Sequence, residues 1–149
     1  MANAQITDMG RRIALAAITD PSFAPNPGPT TVMLVEAGHT FGPEYSYAID
    51  IPDEVVATGY ARALLTVASL TTEPDGRVTA QFSVTDFGLV GGGVDDTVQG
   101  CYLIADSGND ATSPVMHCVM FTSTPTTDGT QLRITWNPGG AASFVPMIA

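Results

Sequence analysis

Hydrophobic residues in this chain are concentrated in two short runs that flank a polar loop. The runs are Val98–Ala105 and Val115–Phe121, and the loop between them, residues 106–114, is rich in Asp, Ser, Gly and Asn. Short apolar runs with many β-branched and aromatic residues are typical of strands that are buried on both faces. The loop residues favour a reversal of the chain. The pattern therefore predicts a central antiparallel hairpin, around which the other elements are arranged.

Two further segments alternate apolar and polar residues with a period of two, which is the pattern of strands with one buried face. In the first segment the apolar positions are Val78, Ala80, Phe82 and Val84. In the second segment they are Leu132, Ile134 and Trp136. We also predict a short strand at 31–35 and a longer one at 60–70, for which the alanine and leucine content leaves a helix open. The glycine-rich stretch 87–93 is predicted to be a flexible connection.

Residues 3–18 carry the one convincing helical pattern. Apolar residues recur there at spacings of three and four, at Ile6, Met9, Ile13, Ala16 and Ala17. Gly10 weakens the first half, which leaves a start near Asp8 open, and Asp20-Pro21 is expected to end the helix. A proline-rich extended connector follows at 22–29, and Pro52 with the acids behind it predicts a single helical turn at 52–56.

Together these elements predict one domain over residues 1–149, long enough to bury a core. Its expected fold is mainly β, an antiparallel, jelly-roll-like β-sandwich with one N-terminal helix. Residues 1–30 supply that helix and the proline-rich arm. The tail 141–149 is apolar and has no charged residue, so we expect it to pack on the core or on a neighbouring subunit.

The charge balance narrows the possible partners. The chain has 15 acidic residues, five arginines and no lysine, for a net charge of −10. Nucleic acid is excluded as a partner, because phosphate binding needs clustered lysine and arginine. A membrane span is not expected, because no apolar run is long enough, and the N-terminus reads as that of a protein made inside the cell. An acidic surface suits a basic protein partner.

Candidate metal or redox residues lie on the predicted hairpin. Cys101 and Cys118 occupy its two arms, so closing the hairpin is expected to bring them near each other. We favour two reduced, buried thiols, with a disulfide as the alternative. His117 adjoins Cys118, but these three donors match no zinc spacing, so His117 is interpreted as a structural residue with a hydrogen-bonded ring.

Acidic side chains could in principle bind calcium or act as an acid–base pair. The clusters are Asp106 with Asn109 and Asp110, Asp50 with Asp53 and Glu54, and Asp95 with Asp96. The first lacks the spacing of a calcium loop and is interpreted as turn residues, and the others as solvated loop faces. No nucleotide-binding or nucleophile motif is present, and the lack of lysine removes Schiff-base chemistry. We therefore predict no catalytic, cofactor-binding or metal-binding residues, and no enzyme.

Five short motifs occur in order along the chain: ANAQITDMGRR at 2–12, TVMLVEA at 31–37, GYARALL at 59–65, CYLIADSGN at 101–109 and DGTQLRITW at 128–136. In this order they resemble the small virion proteins of tailed bacteriophages. The resemblance implies a structural component of the virion, assembled in the host cytoplasm, with no catalytic residues to carry over. The chain departs from the pattern in the longer, acidic segment 38–58 and in its uncharged C-terminus, which leaves its position in the particle open.

Our leading hypothesis is a capsid decoration or cement protein that binds the major capsid protein or other virion proteins as a homo-oligomer. The residues expected at its interfaces are Tyr60, Arg62, Leu64, Phe144, Val145, Met147 and Ile148. One alternative is a tail, fibre-attachment or head–tail adaptor protein. Another is a carbohydrate-binding host-recognition module, for which Phe41, Tyr45 and Tyr47 form the available aromatic cluster.

Overall fold

The computed structural model describes residues 3–19, 28–42, 44–72, 74, 78–92, 97–139 and 143–148. Within these ranges the chain is mainly β, with antiparallel sheets and one N-terminal α-helix, which confirms the predicted fold class. The strands are β1 Asn3–Ile6, β2 Thr30–Glu36, β3 Ala63–Leu64, β4 Val67–Thr72, β5 Val78–Phe82, β6 Thr85–Gly91, β7 Val98–Ala105, β8 Val115–Met120, β9 Asp128–Gly139 and β10 Ser143–Ile148. The helix α1 is Asp8–Thr19, and single 3-10 turns cover Ala48–Asp50 and Asp110–Thr112.

The predicted hairpin lies at the centre of a five-stranded sheet. Strands β7 and β8 pair antiparallel, and the order of the sheet is β1-β8-β7-β2-β3. The hairpin is thereby confirmed, with its second arm ending at Met120. Strand β2 pairs along β7 from Thr30 to Glu36, so the strand predicted at 31–35 is also confirmed.

Both faces of this sheet are buried, which explains the unbroken apolar runs of β2 and β7. Leu34 and Leu103 share a core with Ile134 and other residues of the second sheet, whose order is β10-β9-β6. On the opposite face, Met33 and Tyr102 belong to a second core that the segment around the 3-10 turn Ala48–Asp50 covers. The two layers of sheet form a β-sandwich-like arrangement.

Strand β9 confirms the period-two prediction for the C-terminal half. Leu132, Ile134 and Trp136 are all buried in the core between the sheets. The indole Nε1–H of Trp136 donates a hydrogen bond to Oγ1 of buried Thr85 at 2.7 Å, which fixes the position of β6 against β9. The strand continues through Asn137 to Gly139, and β10 pairs with that portion.

The glycine-rich stretch 87–93 was predicted to be a flexible connection, and this prediction is wrong. Most of the stretch belongs to β6. Gly88 and Gly91 have φ values of 74° and 95° and lie where the register against β9 shifts. Glycine adopts these angles without strain, so the residues form irregularities within the strand. The alternating pattern also predicted that the Val84 side chain points inward. This prediction is wrong, because Val84 is exposed and its neighbour Thr85 is buried.

The N-terminal helix starts later than its apolar spacing predicted. Residues 3–6 are strand β1, which pairs with β8 so that Ile6 lies opposite His117. The helix begins at Asp8, the alternative that Gly10 left open, and ends at Thr19 before the Asp20-Pro21 pair. Oγ1 of Thr7 accepts a hydrogen bond from the Gly10 N–H at 3.0 Å, as in an N-cap. No described helix is long and apolar enough to span a membrane.

Two other local predictions are wrong. The expected strand at 60–70 is divided into the short β3 and the start of β4, separated by Leu65 and Thr66. No helical turn forms at 52–56, because Glu54 makes an isolated bridge with Val35 and Asp53 has a φ of 62°. Most of the proline-rich arm, residues 22–27, lies outside the described residues, as do residues 93–96.

Candidate functional site

Residues 56–67 run antiparallel beside the outer edge of β6. The Gly91 N–H donates to the Thr58 carbonyl oxygen at 2.8 Å, and further along the Ser83 N–H donates to the Thr66 carbonyl oxygen at 2.9 Å. Between these two points, β3 pairs with β2 of the other sheet. The segment therefore joins the edges of the two sheets. We call residues 56–67 together with 83–91 the edge surface.

Most of the large, exposed hydrophobic residues lie on the edge surface, among those whose side chains the structure describes. Five of these eight residues are here, with exposed fractions of 83% for Val56, 70% for Leu89, 58% for Leu64, 52% for Val84 and 50% for Val67. Clustered exposed apolar side chains mark protein–protein contact sites more often than isolated ones do. The edge surface is therefore our candidate interaction site.

The same surface has almost no net charge. In the described residues from 56 to 92, the charged side chains are Arg62 and Asp86. Arg62 is paired with Glu54 and Asp110, and Asp86 is paired with Arg133. The edge surface is thus electrically neutral in a chain whose net charge is −10.

Arg62 holds this segment to two other parts of the fold. Its Nε and Nη2 donate to the two carboxylate oxygens of Glu54 at 2.8 and 2.7 Å. Its Nη1 and Nη2 donate to the carboxylate of Asp110 at 2.6 and 3.0 Å. These hydrogen bonds raise the pKa of Arg62 further, and Arg62 holds the pKa of Asp110 below its ordinary value. Arg62, predicted as a contact residue, therefore has an internal role that positions the surface.

Tyr60 is also directed into its own chain. Its hydroxyl accepts a hydrogen bond from the Leu34 N–H at 2.9 Å and donates to Oε1 of Glu54 at 3.1 Å, and its ring stacks on Phe87. Burial, with the nearby Glu54 charge, raises the pKa of Tyr60. Of the contact residues predicted from 60 to 64, Leu64 is the one whose side chain is exposed. Val56, Val84 and Leu89 were missed, because nothing local distinguishes an outward apolar residue from an inward one.

The other predicted contact residues lie on strand β10. Its backbone pairs with β9, which places Phe144 opposite Pro138, Val145 opposite Asn137, Met147 opposite Thr135 and Ile148 opposite Ile134. The C-terminal segment therefore forms an edge strand of the smaller sheet. The contact role predicted for these four residues stays a prediction.

The sequence predicted that the hairpin brings the two cysteines near each other, but their thiols do not meet. Cys101 lies opposite Val119, whereas Cys118 lies opposite Tyr102, so the two thiols occupy opposite faces of the sheet. Both cysteines are free and buried, which confirms the reduced state, and burial raises the pKa of both thiols. His117 is half-buried, and burial lowers its pKa.

Two members of the acidic clusters, Glu54 and Asp110, pair with Arg62, and other members bond to nearby backbone. Oδ1 of Asp106 accepts from the Gly108 N–H at 2.8 Å, and Oδ1 of Asn109 accepts from the Ala111 N–H at 3.0 Å, which confirms that they are turn residues. Oδ2 of Asp50 accepts from the Tyr47 N–H at 2.9 Å. Within the described part of the chain, no group of three or more His, Cys, Asp or Glu residues is arranged to hold a metal ion. Asp95 and Asp96 lie outside the described residues.

Two of the three residues of the predicted aromatic cluster, Phe41 and Tyr45, pack around His39 and Tyr102, which the sequence pattern had not joined to it. The imidazole is buried, with Nε2 at 2.8 Å from the Tyr102 hydroxyl and Nδ1 at 3.4 Å from Oδ2 of Asp53. Phe41 and Tyr45 are half-buried against Tyr102, with ring centroids 5.5 and 5.9 Å away. Phe41 and Tyr45 thus pack within their own chain, whereas Tyr47, the third predicted residue, is exposed. The carbohydrate-binding alternative stays a prediction.

Comparison of the chain with models of protein families, with curated proteins and with solved structures finds no match. The resemblance of its five motifs to phage virion proteins therefore stays a prediction. The fold, the neutral edge surface and the acidic remainder of the chain are the observations on which a functional proposal rests.

Proposed function

We propose that this chain is a non-enzymatic virion structural protein of a tailed bacteriophage, a capsid decoration or cement protein that strengthens contacts between major capsid proteins. The observation that carries the proposal is the edge surface, along which five large apolar side chains are exposed. Each contributes about 25 cal/mol for every Å² of apolar area that a partner removes from water. The resemblance of the motifs supplies the particle as the setting.

The chemistry of the site supports adhesion as the output. The charged side chain of Arg62 forms ion pairs with both Glu54 and Asp110. In the turn, the carboxylate of Asp106 accepts a hydrogen bond from nearby backbone. The acidic remainder of the chain suits the approach to a basic surface on a shell subunit, since complementary charge speeds and orients association. The neutral edge surface then provides the apolar contact once the two proteins meet.

The first experiment locates the chain in the particle. Virions purified from the source of this sequence are analysed by quantitative mass spectrometry against the major shell protein. A fixed ratio with many copies per particle is expected for a cement protein. A few copies would indicate the tail or adaptor alternative, and absence from the virion would overturn the proposal.

The second experiment tests the surface with a matched pair of variants. Particles stripped of the chain are incubated with the wild type, with Leu89→Ser or with Ile49→Ser. Both substitutions remove a similarly exposed apolar side chain, 70% and 64% exposed, but Ile49 lies outside the edge surface. We expect Leu89→Ser to reduce occupancy of the particle and Ile49→Ser to leave it unchanged. Equal binding by the two variants would contradict the role of the edge surface.

A further inference from the structure

Strands β4 and β5 form a hairpin that belongs to neither main sheet. Their ladder runs from Val67 opposite Phe82 to Thr72 opposite Val78 and makes a separate two-stranded sheet. The hairpin is attached at its root, where the Phe82 ring meets Trp136 edge to face at 6.0 Å between centroids. We call this two-stranded hairpin the β4–β5 arm.

Strand β4 is exposed along one face of its regular ladder. Ser69 and Thr71 are two positions apart, so they lie on the same face, and both are exposed. Val67 and Ala68, at the start of the strand, are exposed as well. An isolated two-stranded hairpin is at best marginally stable in water, and a third strand is what usually stabilises it.

The outer edge of β4 carries none of the usual protections. Native edge strands are commonly guarded by lysine, other charges or proline. The sequence of β4, VASLTT, contains none of these, and β-branched residues make up half of it. Its one irregularity is at the root, where the register shifts between Val67 and Ser69, so the ladder from Ser69 to Thr72 is regular. This portion of the edge is open to pairing with another strand.

The charge pattern identifies the partner. Two copies of a chain with a net charge of −10 repel each other over most of their surface. The strands β4 and β5 contain no charged residue, and by sequence the turn that joins them adds Glu73, Asp75 and Arg77, a net charge of −1, so this repulsion is small there. A basic partner would instead be drawn to the more acidic parts of the chain. The arm is therefore suited to a second copy of the same chain.

We infer that β4 of one copy pairs edge to edge and antiparallel with β4 of a second copy, about a twofold axis. The two hairpins then form one continuous four-stranded sheet, and the contact is self-complementary, as twofold symmetry requires. This inference rests on the proposed function for its role in the particle, where a dimer would present two edge surfaces to neighbouring shell subunits. The dimer itself is a property of the isolated chain.

Sedimentation velocity of the full chain over a concentration series tests the inference. The wild type is compared with Ser69→Lys and with the matched control Ser123→Lys, which places the same substitution on an exposed serine after β8. In the symmetric pairing each copy contributes one new lysine to the shared four-stranded sheet, so two like charges are added at the contact. We expect the wild type to dimerise, Ser69→Lys to raise the dissociation constant about tenfold or more, and Ser123→Lys to have no effect.

A second variant and a particle assay separate the possible outcomes. Thr71→Lys repeats the test at another exposed position of β4, and circular dichroism verifies that each variant is folded. A wild type that stays monomeric, or a dimer that survives both substitutions, would overturn the inference. A monomer that still binds particles would leave the proposed function standing, whereas a β4 dimer absent from particles would overturn the function alone.

Discussion

Arg62 and Asp110 lie 48 positions apart, yet Nη1 of Arg62 lies 2.6 Å from Oδ1 of Asp110. Nη2 of the same guanidinium lies 2.7 Å from Oε2 of Glu54. Arg62 thus joins residues 56–67 to the tip of the β7–β8 hairpin through Asp110. Through Glu54 it joins them to the residues that follow Asp53. This fixed segment keeps apolar neighbours such as Leu64 on the outside of the fold.

Replacing Arg62 should destabilise the chain more than replacing a similar arginine at the surface. Arg62→Met removes the guanidinium from two partly buried carboxylates, of which Glu54 keeps the Tyr60 hydroxyl as a donor, and we expect the free energy of unfolding to fall by about 2 kcal/mol. Arg133→Met is the matched control, because Arg133 pairs with Asp86 at an exposed site, and its loss should cost less than about 1 kcal/mol. Urea denaturation measures both, and equal losses would contradict the prediction.

The pairing of Asp110 with Arg62 should make stability sensitive to acid. The pKa of Asp110 is lowered in the folded state, so the stabilisation is present above the unfolded value of about 4 and is lost as the pH falls through the folded pKa. At neutral pH, Asp110→Asn should cost less than about 1 kcal/mol, because the carboxylate is nearly half exposed and water screens the pair. In strong acid the wild type and Asp110→Asn should have the same free energy of unfolding. A constant difference at all pH values would refute this.

His117 should contribute a second pH dependence, at a higher pH. Burial lowers its pKa in the folded state, so the unfolded chain binds the proton first as the pH decreases. Stability should therefore fall as the pH drops below about 6.5, until the folded pKa is reached. Thermal denaturation between about pH 7.5 and pH 5 measures this effect. The melting temperature should fall less steeply with decreasing pH for His117→Gln than for the wild type. Identical slopes would show that the ring is equally solvated in both states.

The two cysteines should remain unreactive and unlinked in the folded chain. Both thiols are buried, and burial raises their pKa, so little thiolate forms near neutral pH. Because Cys101 and Cys118 lie on opposite faces of the sheet, mild oxidation should not join them. Iodoacetamide labelling followed by mass spectrometry should modify neither thiol in buffer and both in denaturant. An intramolecular disulfide after oxidation would contradict the register of the hairpin.

Removal of residues 141–149 should lower stability without preventing folding. The truncation deletes strand β10 and leaves β9 as a new open edge of the smaller sheet. We expect a lower melting temperature, a greater tendency to aggregate and lower occupancy of the particle, because an unprotected edge invites pairing with other chains. An unchanged melting temperature would show that β10 adds nothing to the fold. Unchanged occupancy would remove the contact role predicted for the tail.

Local sequence pattern determined those parts of the fold in which neighbouring residues carry the information. The apolar runs of β7 and β8 predicted buried strands, and the alternation around Ile134 predicted β9, because periodicity alone tells which face is buried. The turn roles of Asp106 and Asn109 were also readable, since their hydrogen bonds reach only two residues along the chain. The mainly β fold with one N-terminal helix followed from these elements together.

Contacts between distant segments decided the rest. Ile6 fits a helical spacing, but pairing with β8 placed it in a strand, and pairing with β9 made a strand of the glycine-rich residues around Gly88. The partners of Arg62, the opposite faces of the two cysteines and the exposure of Leu64 and Leu89 likewise depend on which edges meet. The sequence by itself determined which residues prefer burial and where the chain turns. Only the tertiary structure decided which apolar residues stay outside, because strand pairing is set by the sum of long-range contacts, which no local period encodes.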